Sequence, residues 1–159
     1  ARSSNDSRTC AAGPDCMPMK GQDLPFIWPS RVYWEDTDAG GVVYHAGYLR
    51  FFERARTEWL RAKGIGQQEL RERHGIVFVV RDMQVRFRQA ARLDDLLAAS
   101  VQLSSLRSAS LSVDQVLTRE GDTSVLVEAS VRIACLDCQR WKPCSIPDFL
   151  LQEIQKHDS

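Results

Sequence analysis

Apolar residues recur at helical spacing in one part of the chain. Tyr48, Phe51, Phe52, Ala55, Trp59 and Ala62 make a single wide stripe. Arg50, Glu53, Arg54, Arg56 and Arg61 fall largely off it, so the spacing predicts an amphipathic helix with one face turned to a core. Arg61 and Lys63 close its last turn and Gly64 follows as a stop. Its first turn falls near His45 to Tyr48 by pattern alone, because no Ser, Thr, Asp or Asn stands at the cap position.

Period two dominates elsewhere. Residues 26 to 34 read as a first strand, which Pro29 confines to an edge. Ile76 to Arg88 reads as a long strand, apolar on both sides in its first half, with Met83, Val85 and Phe87 on one face of its second half. Leu97, Ala99, Val101 and Leu103 mark a third strand, and Leu111, Val113 and Leu117 a fourth. The Arg119-Glu120-Gly121-Asp122 turn leads into a fifth, whose inner face runs Val125, Val127, Ala129, Val131, Ile133, Cys135. Gln67 to Arg73 suggests a short helix, and Pro147 to His157 another with Phe149, Leu150 and Ile154 as its apolar side.

Strand, long helix, then four strands on short turns implies an antiparallel sheet with the helix on one face, an α+β domain of two layers. The helix covers one sheet face, so the other face or an edge is left for a second copy of the chain, and a homo-oligomer is expected. At 159 residues the chain suits one domain. Residues 1–24 are polar, with Pro and Gly and no period, and read as a flexible arm carrying Cys10 and Cys16. The domain is expected over 25–159.

Lys plus Arg and Asp plus Glu are 21 each, so no net field favours nucleic acid or an anionic membrane. No apolar run is long enough to cross a bilayer, and the polar first residues read as no secretory signal. Five cysteines with no such signal suggest a reducing compartment. A cytoplasmic location is expected, with membrane contact peripheral at most.

The stretch W-E-D-T-D-A-G-G-V-V-Y-H, ahead of the helix, is left over from the packing pattern. It sets Asp36 and Asp38 before Gly40 and Gly41, and His45 at the helix start. A helix N-terminus offers unpaired N–H groups and partial positive charge. A carboxylate beside such donors suits attack on a carbonyl whose oxygen the donors stabilise.

These residues carry a resemblance. R-V-Y-W-E-D-T-D-A-G-G-V-V-Y-H, F-E-R-A-R-T-E-W-L, F-V-V-R-D-M and A-R-L-D-D, in that order, resemble the hotdog-fold 4-hydroxybenzoyl-CoA thioesterase-like family, nearest its Tol–Pal-associated, YbgC-type acyl-CoA thioesterases. The likeness runs from about Trp28 to Pro147. It implies a hydrolase of acyl-CoA thioesters, a homodimer or homotetramer with its active site between subunits, and a five-stranded sheet wrapped around the central helix. It maps the catalytic carboxylate onto Asp38, and the backbone N–H that polarises the carbonyl near His45, which matches the family's histidine. Gly40, Gly41, Val43 and Tyr44 fall on the substrate-binding part of the motif. No metal or organic cofactor is implied. Acyl carrier protein and envelope-associated proteins are the further partners it suggests, and a non-hydrolytic acyl-binding scaffold of the Tol–Pal system is the alternative function.

Several readings stay open on the residues. Asp38 serves as general base on water or as nucleophile through a mixed anhydride. Asp36 reads as structural. Glu53 and Glu58 are rival acids on the helix. Arg86, Arg88 and Arg92 are candidates for the CoA phosphates. His74 and His157 read as surface residues. Cys135, Cys138 and Cys144 lack the ligand set of a structural zinc, and Cys135 continues an apolar strand face.

Overall fold

The computed structural model describes residues 24–156. Nearly all of the expected arm, with Cys10 and Cys16, lies outside the described residues, as does His157. The elements are β1 (Phe26–Arg31), α1 (Tyr48–Ala62), α2 (Gln67–His74), β2 (Ile76–Phe87), β3 (Leu96–Leu106), β4 (Ser110–Arg119), β5 (Val125–Asp137) and α3 (Asp148–Gln155). Two short 3₁₀ turns, Trp34–Asp36 and His45–Gly47, lie between β1 and α1. The five strands form one antiparallel sheet in the order β1-β3-β4-β5-β2. The expected α+β hotdog architecture is present, with β1 and β2 as its two edges.

Alternation explains which face is inside. Leu97, Ala99 and Val101 of β3, Leu111, Val113 and Leu117 of β4, and Val127, Ala129, Val131 and Cys135 of β5 are all buried. They meet Tyr48, Phe51, Phe52, Ala55 and Trp59 of α1, and together these residues form the core. Burying a Phe or Leu side chain is worth about 1.5–3 kcal/mol, so this one interface dominates the stability of the domain. Gly121 closes the β4–β5 hairpin at φ 76°, the left-handed conformation that the turn demands.

The helix face departs from the expected stripe at three positions. Ala62 is exposed, Leu60 is buried, and Arg56 is only 8% exposed. The stripe continues along Phe52, Arg56 and Leu60, four residues apart. Arg56 sits inside because the sheet supplies a polar partner. Gln115 of β4, 1% exposed, accepts from Arg56 Nη1 at 2.9 Å through Oε1. Its Nε2 donates to the Phe52 and Ser100 carbonyls at 3.1 and 3.3 Å. Burial lowers the Arg56 pKa from its ordinary value.

Two further expectations are corrected. The first strand stops at Arg31 instead of Trp34, because the Tyr33 N–H turns to the Asp36 carboxylate at 2.9 Å and a 3₁₀ turn begins. Tyr33 and Trp34 are left 61% and 79% exposed. In α3, Leu150 and Ile154 are buried, whereas Phe149 lies outside the core and stacks on the His74 ring, with centroids 4.9 Å apart.

Candidate active site

Residues 36 to 45 fold back on themselves as a small closed loop. Thr37 bridges Val43, the Asp38 N–H donates to the Val42 carbonyl at 2.9 Å, and the Tyr44 N–H donates to the Asp36 carbonyl at 3.0 Å. The two acids of D-T-D divide at this point. Asp36 is 5% exposed and its carboxylate caps the preceding turn, the structural role expected of it. Asp38 is exposed; its Oδ1 accepts the Gly40 N–H at 2.8 Å.

The glycines have distinct reasons. Gly41 lies at φ 74°, where a side chain is strained. A Cβ on Gly40 would stand 3.1 Å from Asp38 Oδ1 and press on the carboxylate itself. Beyond them Val43 is buried, whereas Tyr44 and His45 are exposed, their rings tilted 54° with centroids 4.4 Å apart.

The helix start matches the expected position. A 3₁₀ turn over His45–Gly47 runs straight into α1. Its first internal bond is the Gly47 N–H to the Tyr44 carbonyl, at 2.7 Å. The N–H groups of His45 and Ala46 therefore precede the helical ladder and carry the positive end of its dipole. No side chain caps this end, and no acidic residue lies in its first turn.

A second loop backs the first. The Val43 N–H donates to the Ala91 carbonyl at 2.9 Å, Val42 bridges Arg92, and the Ala91 N–H donates to Tyr48 Oη at 2.9 Å. Asp95 Oδ2 holds the loop's shape, accepting from the Arg92 N–H at 2.9 Å and from Arg119 Nε at 3.0 Å. Burial, with the charges of Asp95 and Asp38, raises the Tyr48 phenol above its ordinary pKa, so it stays protonated. Sequence reasoning passed over Tyr48 and Ala91 as chemistry. The signal for the loop was A-R-L-D-D, whose place beside the D-T-D loop only the fold reveals.

The three arginines separate. Arg92 lies against the Asp38 loop through its bridge to Val42. Arg88 is tied to Glu128, with Nη2 at 2.9 Å and Nε at 3.2 Å from Oε2. Arg86 lines a groove of about 330 Å³ with Asp114, Glu128 and Ser130, away from the loop. The rival acids lie down the helix. Glu53 is exposed and its Oε1 accepts the Thr57 hydroxyl at 2.7 Å, and Glu58 is ion-paired to Arg61.

Cys135 is the small core residue expected: fully buried, with its thiol pushed up to about 12 by burial and by Cys144. The two sulfurs are 3.7 Å apart. Among the described residues no group of three or more His, Cys, Asp or Glu could hold a metal ion, and no helix is long and apolar enough to cross a membrane.

Known proteins share most of the chain. An acyl-CoA thioesterase YbgC of Haemophilus influenzae is 47% identical over 79% of this chain and 90% of its own length. An acyl-CoA thioester hydrolase YbgC of Escherichia coli is 45% identical over 82% and 96%. The crystal structure of a probable thioesterase from Bartonella henselae superposes with a TM-score of 0.74 at 38% identity, covering 78% of this chain and 100% of that one. A family model described as the thioesterase-like superfamily matches residues 32–154, and the chain belongs to that superfamily.

Proposed function

We propose that the protein hydrolyses acyl-CoA thioesters to the free acid and CoA, with Asp38 as its catalytic carboxylate. The observation that carries this reading is an exposed carboxylate on a loop whose backbone is bonded back to Tyr44, the residue just before the unladdered N–H groups that open the helix. Thioester cleavage needs an activated oxygen nucleophile and a donor for the developing oxyanion. The Gly40 N–H engages Oδ1 and so orients the group, leaving Oδ2 to take a proton from water or to attack the carbonyl carbon. As base, Asp38 would contribute about 10²–10⁴-fold. The His45 or Ala46 N–H would receive the carbonyl oxygen, an interaction worth roughly 3 kcal/mol at other acyl-transfer sites. The His45 side chain, exposed against Tyr44, would shuttle a proton or orient the ester. The names of the relatives, acyl-CoA thioesterase and acyl-CoA thioester hydrolase, support the ester class.

The site is read as shared between two copies of the chain. β2 is an edge strand with Val80 and Phe87 exposed, and an exposed edge of this length is a natural pairing surface. Phe87 also packs on Tyr48 at 5.7 Å, so a partner on this edge would come close to the helix start. Arg92, exposed and with its backbone bridged to Val42 of the Asp38 loop, is the cation we assign to a CoA phosphate. The cytoplasm is the proposed location, supported by the free thiols of Cys135, Cys138 and Cys144.

The test is thiol release from a panel of acyl-CoA esters, wild type beside Asp38→Asn. Turnover by wild type and near-complete loss in the variant is the expected result. Turnover that survives the substitution moves the acid to Glu53 or Glu58. Binding with no turnover would make the protein an acyl-CoA carrier.

A further inference from the structure

Tyr48 is 3% exposed, and a phenylalanine ring would fill the same space. An oxygen buried that deeply costs stability unless it finds a partner. Its partner is the N–H of Ala91, a residue that is itself fully buried and would otherwise carry an orphan donor. The bond belongs to a chain of three. Tyr48 Oη accepts the Ala91 N–H at 2.9 Å, the Ala91 carbonyl accepts the Val43 N–H at 2.9 Å, and the Val42 carbonyl accepts the Asp38 N–H at 2.9 Å. The relay starts on α1, one turn after His45, and ends on the backbone of Asp38.

The rest of the Ala91 loop is held from elsewhere in the fold, by Arg119, whose Nη2 donates to the Ala90 carbonyl at 3.4 Å and whose Nε donates to Asp95 at 3.0 Å, and by bonds at its two ends. Arg88 and Gln89 donate to the Leu126 carbonyl, and Asp94 and Asp95 exchange backbone bonds with Val32. At the middle of the loop, the phenol is what ties it to the helix. The helix and the backbone of the Asp38 loop thus reach a common reference point through Ala91.

We propose that Tyr48 is a positioning residue for the thioester hydrolysis put forward above: through Ala91 and Val43 its phenol oxygen fixes the Asp38 loop relative to the oxyanion-binding end of α1. The inference rests on that functional reading, and it adds a residue that touches neither substrate nor reacting atoms. A misplacement of about 1 Å at a catalytic group can cost roughly 100-fold, so a single oxygen can matter at this distance.

The experiment compares Tyr48→Phe with Phe52→Leu, a core substitution one turn further along the same helix that leaves the relay intact. Each full-length protein is assayed for acyl-CoA turnover, melting temperature and exchange of the Val43 amide. Tyr48→Phe should lower kcat by roughly 10- to 100-fold with KM little changed, and it should speed Val43 exchange. Phe52→Leu should lower the melting temperature at least as much, with kcat and Val43 exchange close to wild type. Unchanged kcat in Tyr48→Phe overturns the proposal, as does a loss of kcat that tracks melting temperature across both variants. A wild type that turns over no ester overturns the thioesterase reading by itself. Val43 exchange then decides for Tyr48: acceleration confined to Tyr48→Phe keeps its hold on the loop, and equal exchange removes it.

Discussion

Asp38 ahead of α1 and Glu53 on it are both exposed carboxylates, and they differ in what surrounds them. Asp38 is exposed on a loop that closes back on Tyr44, and the His45 and Ala46 N–H groups that follow Tyr44 have no helical acceptor. Two turns later, Glu53 lies on the helix wall beside a cavity of about 120 Å³ that Arg56, Thr57, Leu60 and Phe78 also line. That second carboxylate has company of its own: Thr57 donates to it at 2.7 Å and Gln67 donates to Thr57 at 2.9 Å. The backbone N–H groups there are already spent in the i→i−4 ladder. A nucleophile needs an oxyanion donor within reach, and only the first place has free backbone donors. The cavity resembles a place to hold something; the loop resembles a place to react with it.

The largest expected effect breaks or secures that contrast. Asp38→Asn should reduce kcat by about 10²–10⁴-fold, measured by thiol release. Glu53→Gln should change kcat by less than about tenfold, since the helix wall around Glu53 offers no free backbone donor for an oxyanion. A reversal of the two results would transfer the chemistry to the helix wall.

The legibility of the chain follows the same division. The α1 stripe and the alternation in β3 and β5 announced themselves because burial on one face imposes a period that any window shows. Asp38, His45 and the glycines were visible as a motif that packing did not need. Arg56 was misread because a charge is expected at the surface, and its buried partner, Gln115, lies 59 residues away on another element. The first strand was read too long because Val32 to Trp34 keep an apolar character after the chain has turned at the Asp36 carboxylate. Tyr48 could be placed in the core but not given a bond, because its partner is a backbone N–H across 43 residues, which no side-chain pattern records. What sequence shows is periodicity and local motif; what it hides is which distant loop is brought to the motif.

A smaller effect should separate geometry from charge at the loop. Gly40→Ala would set a Cβ 3.1 Å from Asp38 Oδ1, so the carboxylate must shift by a few tenths of an ångström. The expected result is a fall in kcat of about tenfold with a melting temperature near wild type. Normal turnover in this variant would mean that the position of Asp38 Oδ1 in the free protein is not the one used in the reaction.

At the second place the prediction concerns stability. Arg56→Met removes the donor to Gln115 Oε1 and leaves that buried atom unpaired, at a cost of about 1–3 kcal/mol. For a domain of this size that lowers the melting temperature by about 2–4 °C per kcal/mol. The loss of a desolvated guanidinium works in the opposite direction. The pair of substitutions Arg56→Met and Gln115→Leu should therefore recover part of the loss, less the Gln115 bonds to Phe52 and Ser100. A double variant no more stable than Arg56→Met alone would show that Gln115 is held by those carbonyls and owes nothing to Arg56.

The smallest effect tests where the CoA end of the ester lies. Arg92 is exposed, with its backbone bridged to Val42 of the Asp38 loop, whereas the Arg88 guanidinium is paired with Glu128. An exposed charge meeting a phosphate is worth up to about 1 kcal/mol, or a few-fold in affinity. Arg92→Ala should raise the acyl-CoA KM by about two- to fivefold with kcat unchanged, and the difference should shrink as salt rises. Arg88→Ala should leave KM where it is, because the substitution exposes Glu128 and removes no cation that the ester could use. A KM that rises in Arg88→Ala and not in Arg92→Ala would place the nucleotide across the end of β2, on the side of the sheet where Arg88 and Glu128 meet, and the acyl group would then enter the loop from the opposite direction.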